Sequence, residues 1–224
     1  MRIATFNIQH GAAADGGVGT PAELVEACQG LDADLLALQE VDRGVSRTGR
    51  ADQVAEVAEA LGMTYTFGAA RKLDGGDYGN ALLVRGDLAD VRVLALERRF
   101  RTEPRCIVTA TATIDGAAYA VGVTHLGVDN ALARHQLMQT FDAMAGTPRP
   151  RIVLGDFNLH PDEVLPTTTA EGYDLVLSAP TFPNLEPKVQ IDYAVLGGLV
   201  ARDVEVISTR ISDHRALVVD VAGS

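Results

Sequence analysis

Short runs rich in Val, Ile and Leu, most of them closed by Gly, Asp or Asn, recur along the whole chain and limit what it can fold into. Runs of this length and composition fit strands. Eleven can be marked: Arg2 to Ile8, Asp34 to Leu38, Thr64 to Gly68, Asn80 to Arg85, Val91 to Leu96, Cys106 to Ile114, Ala118 to Thr124, Arg151 to Leu154, Ile191 to Leu196, Val200 to Ile207 and Ala216 to Val221. Helical spacing is rarer. Val54, Val57, Ala58 and Leu61 form one apolar stripe, and Ala133, Leu137, Thr140, Phe141 and Met144 form a second. A third helix is expected from Pro21 to about Gly30, with Thr20 as its N-cap and Gly30 as its stop signal. This inventory is too strand-rich for a doubly wound parallel sheet. It predicts an α/β fold in which two sheets pack face to face with helices outside them. No linker-like tract divides the runs, so residues 1–224 are expected to form a single domain.

Charge narrows the function classes. The chain has 19 Lys+Arg against 30 Asp+Glu, a net charge of −11, which argues against a non-specific nucleic-acid coat binder because such proteins displace counterions with clustered cations. A nuclease survives this test, since a bound divalent cation supplies positive charge locally. Cys28 and Cys106 have no metal-ligand spacing and read as small buried residues. The N-terminus has no leader-like pattern, and no apolar stretch approaches the length of a membrane span. A soluble, reduced, cytoplasmic protein, expected to be a monomer, is the resulting expectation. Asp15-Gly16-Gly17 and Asp74-Gly75-Gly76 are turn signals, and neither continues into a phosphate-cradling Gly-Lys-Ser/Thr.

Acids, amides and histidines sit where apolar strands end. Asn7 closes I-A-T-F-N and as a lone residue could simply cap a turn; Glu40 closes L-L-A-L-Q-E, where Glu is a poor turn former and costly to bury alone. Asp156 and Asn158 in G-D-F-N are two apart, so on an extended backbone both point to one side while Phe157 points into the core. Asp192 interrupts Q-I-D-Y-A-V-L, and Asp213-His214 precedes A-L-V-V-D-V; a buried Asp with a His elsewhere suits a carboxylate that orients an imidazole. His125 closes Y-A-V-G-V-T-H. His10 lies close to Asn7, His160 follows Asn158 in a loop, and His135 is read as solvated. Gathered carboxylates raise each other's pKa unless a cation sits among them, and oxygen ligands of this kind suit Mg²⁺ or Mn²⁺ over zinc. No H-E-x-x-H, nucleophile elbow or EF-hand loop is present.

Seven blocks, R-I-A-T-F-N-I-Q-H-G, L-L-A-L-Q-E-V-D, Y-G-N-A-L-L-V, V-T-H-L, V-L-G-D-F-N, Q-I-D-Y-A-V-L and S-D-H-R-A-L-V-V-D-V, stand in the order seen in the endonuclease/exonuclease/phosphatase superfamily, which the chain resembles from Arg2 to Val221. The resemblance implies a four-layer α/β sandwich like that of deoxyribonuclease I. It implies Glu40 as the principal metal ligand with Asn7 and Asp213 beside it, and Asp156 and Asn158 as the groups that position water and phosphoryl. It further implies His214, oriented by Asp192, as the contact to the scissile phosphate, His125 as a stabiliser of developing charge, and Asn80 at the border of the site. The activity implied is Mg²⁺-dependent (or Mn²⁺-dependent) hydrolysis of a phosphoester. Just after Glu40, Arg43 and Arg47 either clamp an anion with their guanidinium forks or pair with acids of their own loop. Arg105 in E-P-R either faces the site or lies on an exposed strand edge.

The acidic balance and the lack of basic insertions or Trp disfavour duplex DNA and favour a small phosphoester. A DNA endonuclease and a non-catalytic phosphate-binding module remain the two alternatives. The full set of candidate residues weighs against the second.

Overall fold

The computed structural model describes residues 1–223. Its strands are β1 (Arg2–Asn7), β2 (Leu35–Arg43), β3 (Thr64–Leu73), β4 (Gly76–Val84), β5 (Asp87–Ala95), β6 (Cys106–Ile114), β7 (Ala117–His125), β8 (Arg151–Asp156), β9 (Asp174–Leu175), β10 (Asp192–Gly197), β11 (Leu199–Ile207) and β12 (Ala216–Gly223). Its helices are α1 (Pro21–Gly30), α2 (Gln53–Leu61), α3 (Asn130–Met144) and α4 (Pro161–Ala170). One six-stranded sheet runs β11-β12-β1-β2-β4-β3, the other β5-β6-β7-β8-β10-β9. Each sheet has one parallel pair, β1 with β2 and β7 with β8, whose crossovers carry α1 and α3.

The reason for four layers lies in the strand sequences. Along β2, Leu35 and Ala37 enter the core between the sheets, while Leu36 and Leu38 join Phe6, Leu24, Val54 and Val57 beneath α1 and α2. On the second sheet, Ile152 and Leu154 face the inter-sheet core and Val153 packs with Leu137, Phe141 and Val164 under α3 and α4. A strand covered on both faces reads as an unbroken apolar run, which is why the period-two signal is missing. Thr20 caps α1 through a reciprocal bond pair with Glu23, and Pro21 fills the first turn where its missing N–H costs nothing.

Several boundaries differ from expectation. Glu40 does not end a strand; β2 continues to Arg43 and a bulge between Leu38 and Val41 lets Glu40 adopt φ 58°. Asn158 has φ 51°, so G-D-F-N leaves the strand at Asp156 and turns. The third and fourth strands are longer than expected because they form a hairpin around Asp74-Gly75, the marked turn. The fourth helix, α4, and the two-residue β9 complete the set.

Candidate active site

Register builds one wall of the site. His125 ends β7, Asp156 ends β8 and Asp192 begins β10, and the ladders pair His125 with Asp156 and Asp156 with Asp192. Three polar residues therefore occupy one row across three adjacent strands and share one face. Gly155 permits the close approach of β7 and β8, since a Cβ there would collide with the Thr124 carbonyl. On the other sheet Asn7 ends β1 opposite Gln39, one residue before the Glu40 bulge. Asn7 joins the two walls: its Nδ2 donates to Asp156 Oδ2 at 3.0 Å and to Glu40 Oε1 at 3.2 Å.

The third contributor is the loop before β12. Ser212, at φ 66°, donates from Oγ to the Asn7 carbonyl at 2.5 Å and accepts from the His214 backbone N–H at 3.0 Å. Gln9 accepts from the Asp213 N–H at 3.2 Å, and its own N–H donates to Asn7 Oδ1 at 3.1 Å. These bonds hold Asp213 and His214 against the end of β1. The His214 ring packs on Phe182 with centroids 4.8 Å apart, and its Nδ1 lies 3.0 Å from Asp192 Oδ2. Its Nε2 lies 3.7 Å from Asp156 Oδ2.

The two histidines differ in charge. Burial opposes protonation of His214, but the carboxylates of Asp192 and Asp156 outweigh it and raise its pKa to about 10. His125 is buried too, and burial, Arg105 and His214 hold it well below its ordinary value. Arg105 Nη1 donates to His125 Nδ1 at 3.2 Å; because guanidinium can only donate, His125 carries its proton on Nε2, 3.3 Å from Asp156 Oδ2. That contact is close without being a hydrogen bond. Asn158 completes the corner, its N–H donating to Asp156 Oδ1 at 2.9 Å and its Nδ2 to the Leu126 carbonyl at 3.0 Å. The amide also lies 3.2 Å from His125 Nε2.

The carboxylates respond to this crowding. Burial, then the nearby Asp192, pushes Asp156 above the ordinary carboxylate range against the opposing pull of His214. Burial also raises Glu40, with Asp213 adding to the rise against Asn7, Arg105 and His214. Asp192 Oδ1 is buried without a hydrogen-bond partner. One oxygen each from Asp156 and Asp192 and a ring nitrogen of His214 lie within 4.8 Å of one another.

Three expected substrate contacts are otherwise engaged. Arg47 closes its fork on Asp42, fully buried, at 2.7 and 2.9 Å; Arg43 pairs with Asp77 at 3.2 Å and covers the Phe67 ring at 4.5 Å. Internal ion pairs, the alternative for this loop, are what form, since Asp42 could not be buried without a cation. Asn80 is buried between the sheets, donating from Nδ2 to the Cys106 carbonyl at 3.0 Å. Sequence reasoning passed over Gln9 and Ser212, although both lie inside the blocks that carry the resemblance, and left Arg105 between two readings. Arg105 is 8% exposed and faces the site.

The sequence profile described as the Endonuclease/Exonuclease/phosphatase family matches residues 4–214. The chain belongs to this family. Its described members are endonucleases, exonucleases and phosphatases, all hydrolases of phosphoester bonds. Among curated proteins none matches the sequence. Solved structures share the family fold at low identity. An endonuclease/exonuclease/phosphatase from Beutenbergia cavernae DSM 12333 superposes with a TM-score of 0.83 at 20% identity, over 100% of this chain and 72% of that one. A mannosyl-6-phosphatase from Bacteroides thetaiotaomicron VPI-5482 gives 0.81 at 16% identity, over 99% of each chain. The catalytic domain of human nocturnin with bound sulfate gives 0.76 at 20% identity, over 100% of this chain and 93% of that one. The four-layer α/β sandwich is the fold of the family. Among the described residues no helix is long and apolar enough to cross a membrane.

Proposed function

We propose that this chain hydrolyses a small phosphoester, as a phosphatase or phosphodiesterase, with a divalent cation, Mg²⁺ or Mn²⁺, as its cofactor. The observation that carries the reading is the convergence of Asn7, Glu40, Asp156, Asp192 and His214 from both sheets onto one cluster: Asn7 hydrogen-bonds to Glu40 and Asp156, His214 to Asp192, and His214 Nε2 comes within 3.7 Å of Asp156. Three of these five are acids, and two of the acids have raised carboxyl pKa values from burial. The unpartnered Asp192 oxygen adds a further buried acceptor. Such a donor set, oxygen-rich and short of positive charge, fits a hard cation.

Glu40, with Asn7 and Asp213 beside it, would hold the ion. When bound, the ion supplies positive charge to the phosphoryl oxygens and lowers the pKa of water. The chain's own residues do the rest. His214, cationic and fixed by Asp192 and the Phe182 ring, leaves Nε2 to meet a phosphate oxygen. Asp156 and Asn158 provide an acceptor and an amide side by side, suited to align a water and one phosphoryl oxygen. His125, neutral and held by Arg105, presents an N–H to the same corner. A phosphatase among the structural relatives agrees with a small substrate, and the net charge of −11 disfavours a long polyanion.

The test is hydrolysis of a phosphoester panel by purified protein with Mg²⁺ or Mn²⁺ and with excess EDTA. Turnover that EDTA abolishes and added cation restores is the expected result. Turnover indifferent to EDTA removes the cation from the reading, and no turnover on any ester under either condition removes the hydrolase.

A further inference from the structure

Arg105 has a second face. Besides meeting His125, it lines a cavity of about 660 Å³ between β3 and β5, the edge strands of the two sheets. The walls carry three guanidinium groups, Arg71, Arg98 and Arg105, and no carboxylate; the other lining residues are Ala, Val, Leu, Pro and Cys. In a chain of net charge −11 this is a local reversal of sign. Glu103 answers part of it, reaching Arg71 at 3.2 Å and Arg105 at 2.6 Å. Arg98 is exposed and forms no ion pair among the described residues. One carboxylate is therefore shared between two guanidinium groups, and Arg98 has none.

The Nε groups of Arg71 and Arg105 are buried without a partner, and Arg105 is 92% out of solvent (8% exposed). Both Nε groups are closed off from solvent, and Arg71 lies over the Tyr78 ring at 5.0 Å, so it is the outer guanidinium nitrogens that can meet a ligand in the cavity. Guanidinium forks match oxyanions, phosphate or carboxylate, better than any neutral acceptor. Arg105 also fixes where such an anion would lie relative to the chemistry, since its Nη1 is 3.2 Å from His125 and His125 is 3.3 Å from Asp156.

We propose that the Arg71–Arg98–Arg105 cavity is the subsite for a second anionic group on the substrate, so that the preferred ester carries a phosphate or carboxylate besides the phosphoryl group that is cleaved. The proposal rests on the phosphoester reading above for its second half, and on the cavity alone for anion binding. An ester with one anionic group leaves the cavity empty. An ester with two bridges Arg105 and places its scissile group beside His125 and Asp156.

Two measurements test it separately. In the first, hexyl phosphate, hexanediol bisphosphate and the phosphate ester of hydroxyhexanoic acid are compared with Mg²⁺ present. Either or both two-anion esters should show a KM at least about tenfold lower than hexyl phosphate, the scale of a charge-assisted contact, and the bisphosphate and carboxylate arms report which anion is read. Arg98→Glu should erase that advantage and leave hexyl phosphate turnover unchanged; Arg71→Gln should reduce it. In the second, methylene bisphosphonate is titrated calorimetrically without metal, when the acidic centre repels anions. Binding to the wild type that weakens about tenfold in Arg98→Glu supports the subsite even if no ester is hydrolysed, in which case only the hydrolase reading falls. Equal KM for all three esters, or bisphosphonate affinity and KM indifferent to Arg98→Glu, overturns the subsite and leaves the hydrolase standing.

Discussion

His125 and His214 stand on the same carboxylate and in opposite charge states. Both are buried, both lie within 4 Å of Asp156 Oδ2, at 3.3 and 3.7 Å, and burial alone would keep both neutral. The neighbour on the other ring nitrogen decides. His214 has Asp192 at its Nδ1 and is held as the cation; His125 has Arg105 there and is held neutral. Desolvation thus sets a common penalty, and the sign of one buried partner selects which histidine overcomes it. Under the proposed phosphoester reading, the two forms would offer a fixed positive charge for oxyanions and a neutral N–H donor side by side.

The largest effect should follow from removing the cation. His214→Ala deletes the charge and leaves Asp192 and Asp156 buried without it, and kcat should fall about a hundredfold to a thousandfold, the range seen when a donor to a developing oxyanion is lost. Steady-state turnover with KM little changed is the signature, and wild-type kcat in this variant would remove His214 from the chemistry. Asp192→Asn should come next, at about ten- to a hundredfold, because the ring keeps its place but loses the charge that holds its proton. Imidazole NMR should show the His214 pKa fall from about 10 toward the ordinary histidine value, since its largest favourable partner is gone while burial and Asp156 remain. A His214 pKa unmoved by Asp192→Asn would transfer the credit to Asp156.

How far the sequence foretold these arrangements depends on which partner a residue answers to. Runs such as L-L-A-L in β2 reveal a strand covered on both faces because burial is recorded in the residues themselves. Phe157 between Asp156 and Asn158 likewise shows which way that segment faces the core, and it does pack there. Glu40 is different: its left-handed backbone comes from a bulge against β4, a register that no local pattern specifies. The fourth helix hides behind Pro166 and three threonines, residues that read as helix breakers and turn formers although Pro161 and Glu163 mark its start. Arg47 and Arg105 show the limit most clearly. Both are arginines in polar segments, yet one closes on the buried Asp42 beside it and the other lines a cavity and holds a histidine. Which anion a guanidinium meets is a tertiary fact.

The smallest expected effect is also the most direct probe of the neutral histidine. Arg105→Met keeps the length of the side chain and removes the positive partner from His125 Nδ1. Burial is the first cause of the depressed His125 pKa and Arg105 the second, with His214 behind them, so the value should rise in the variant and still remain below 6.5, the ordinary value for histidine. Imidazole shifts followed from neutral to mildly acid pH read this directly, and His214 in the same spectra is the internal control that should keep its charge. Activity on an ester with one anionic group should fall by no more than about tenfold, because the ring retains its contact with Asp156 and loses only its orienting donor. The unanswered Nδ1 should cost about 1–3 kcal/mol of stability, visible as a lowered midpoint in urea. If His125 in the wild type already titrates near 6.5, its neutrality does not come from Arg105, and the contrast between the two histidines reduces to Asp192 alone.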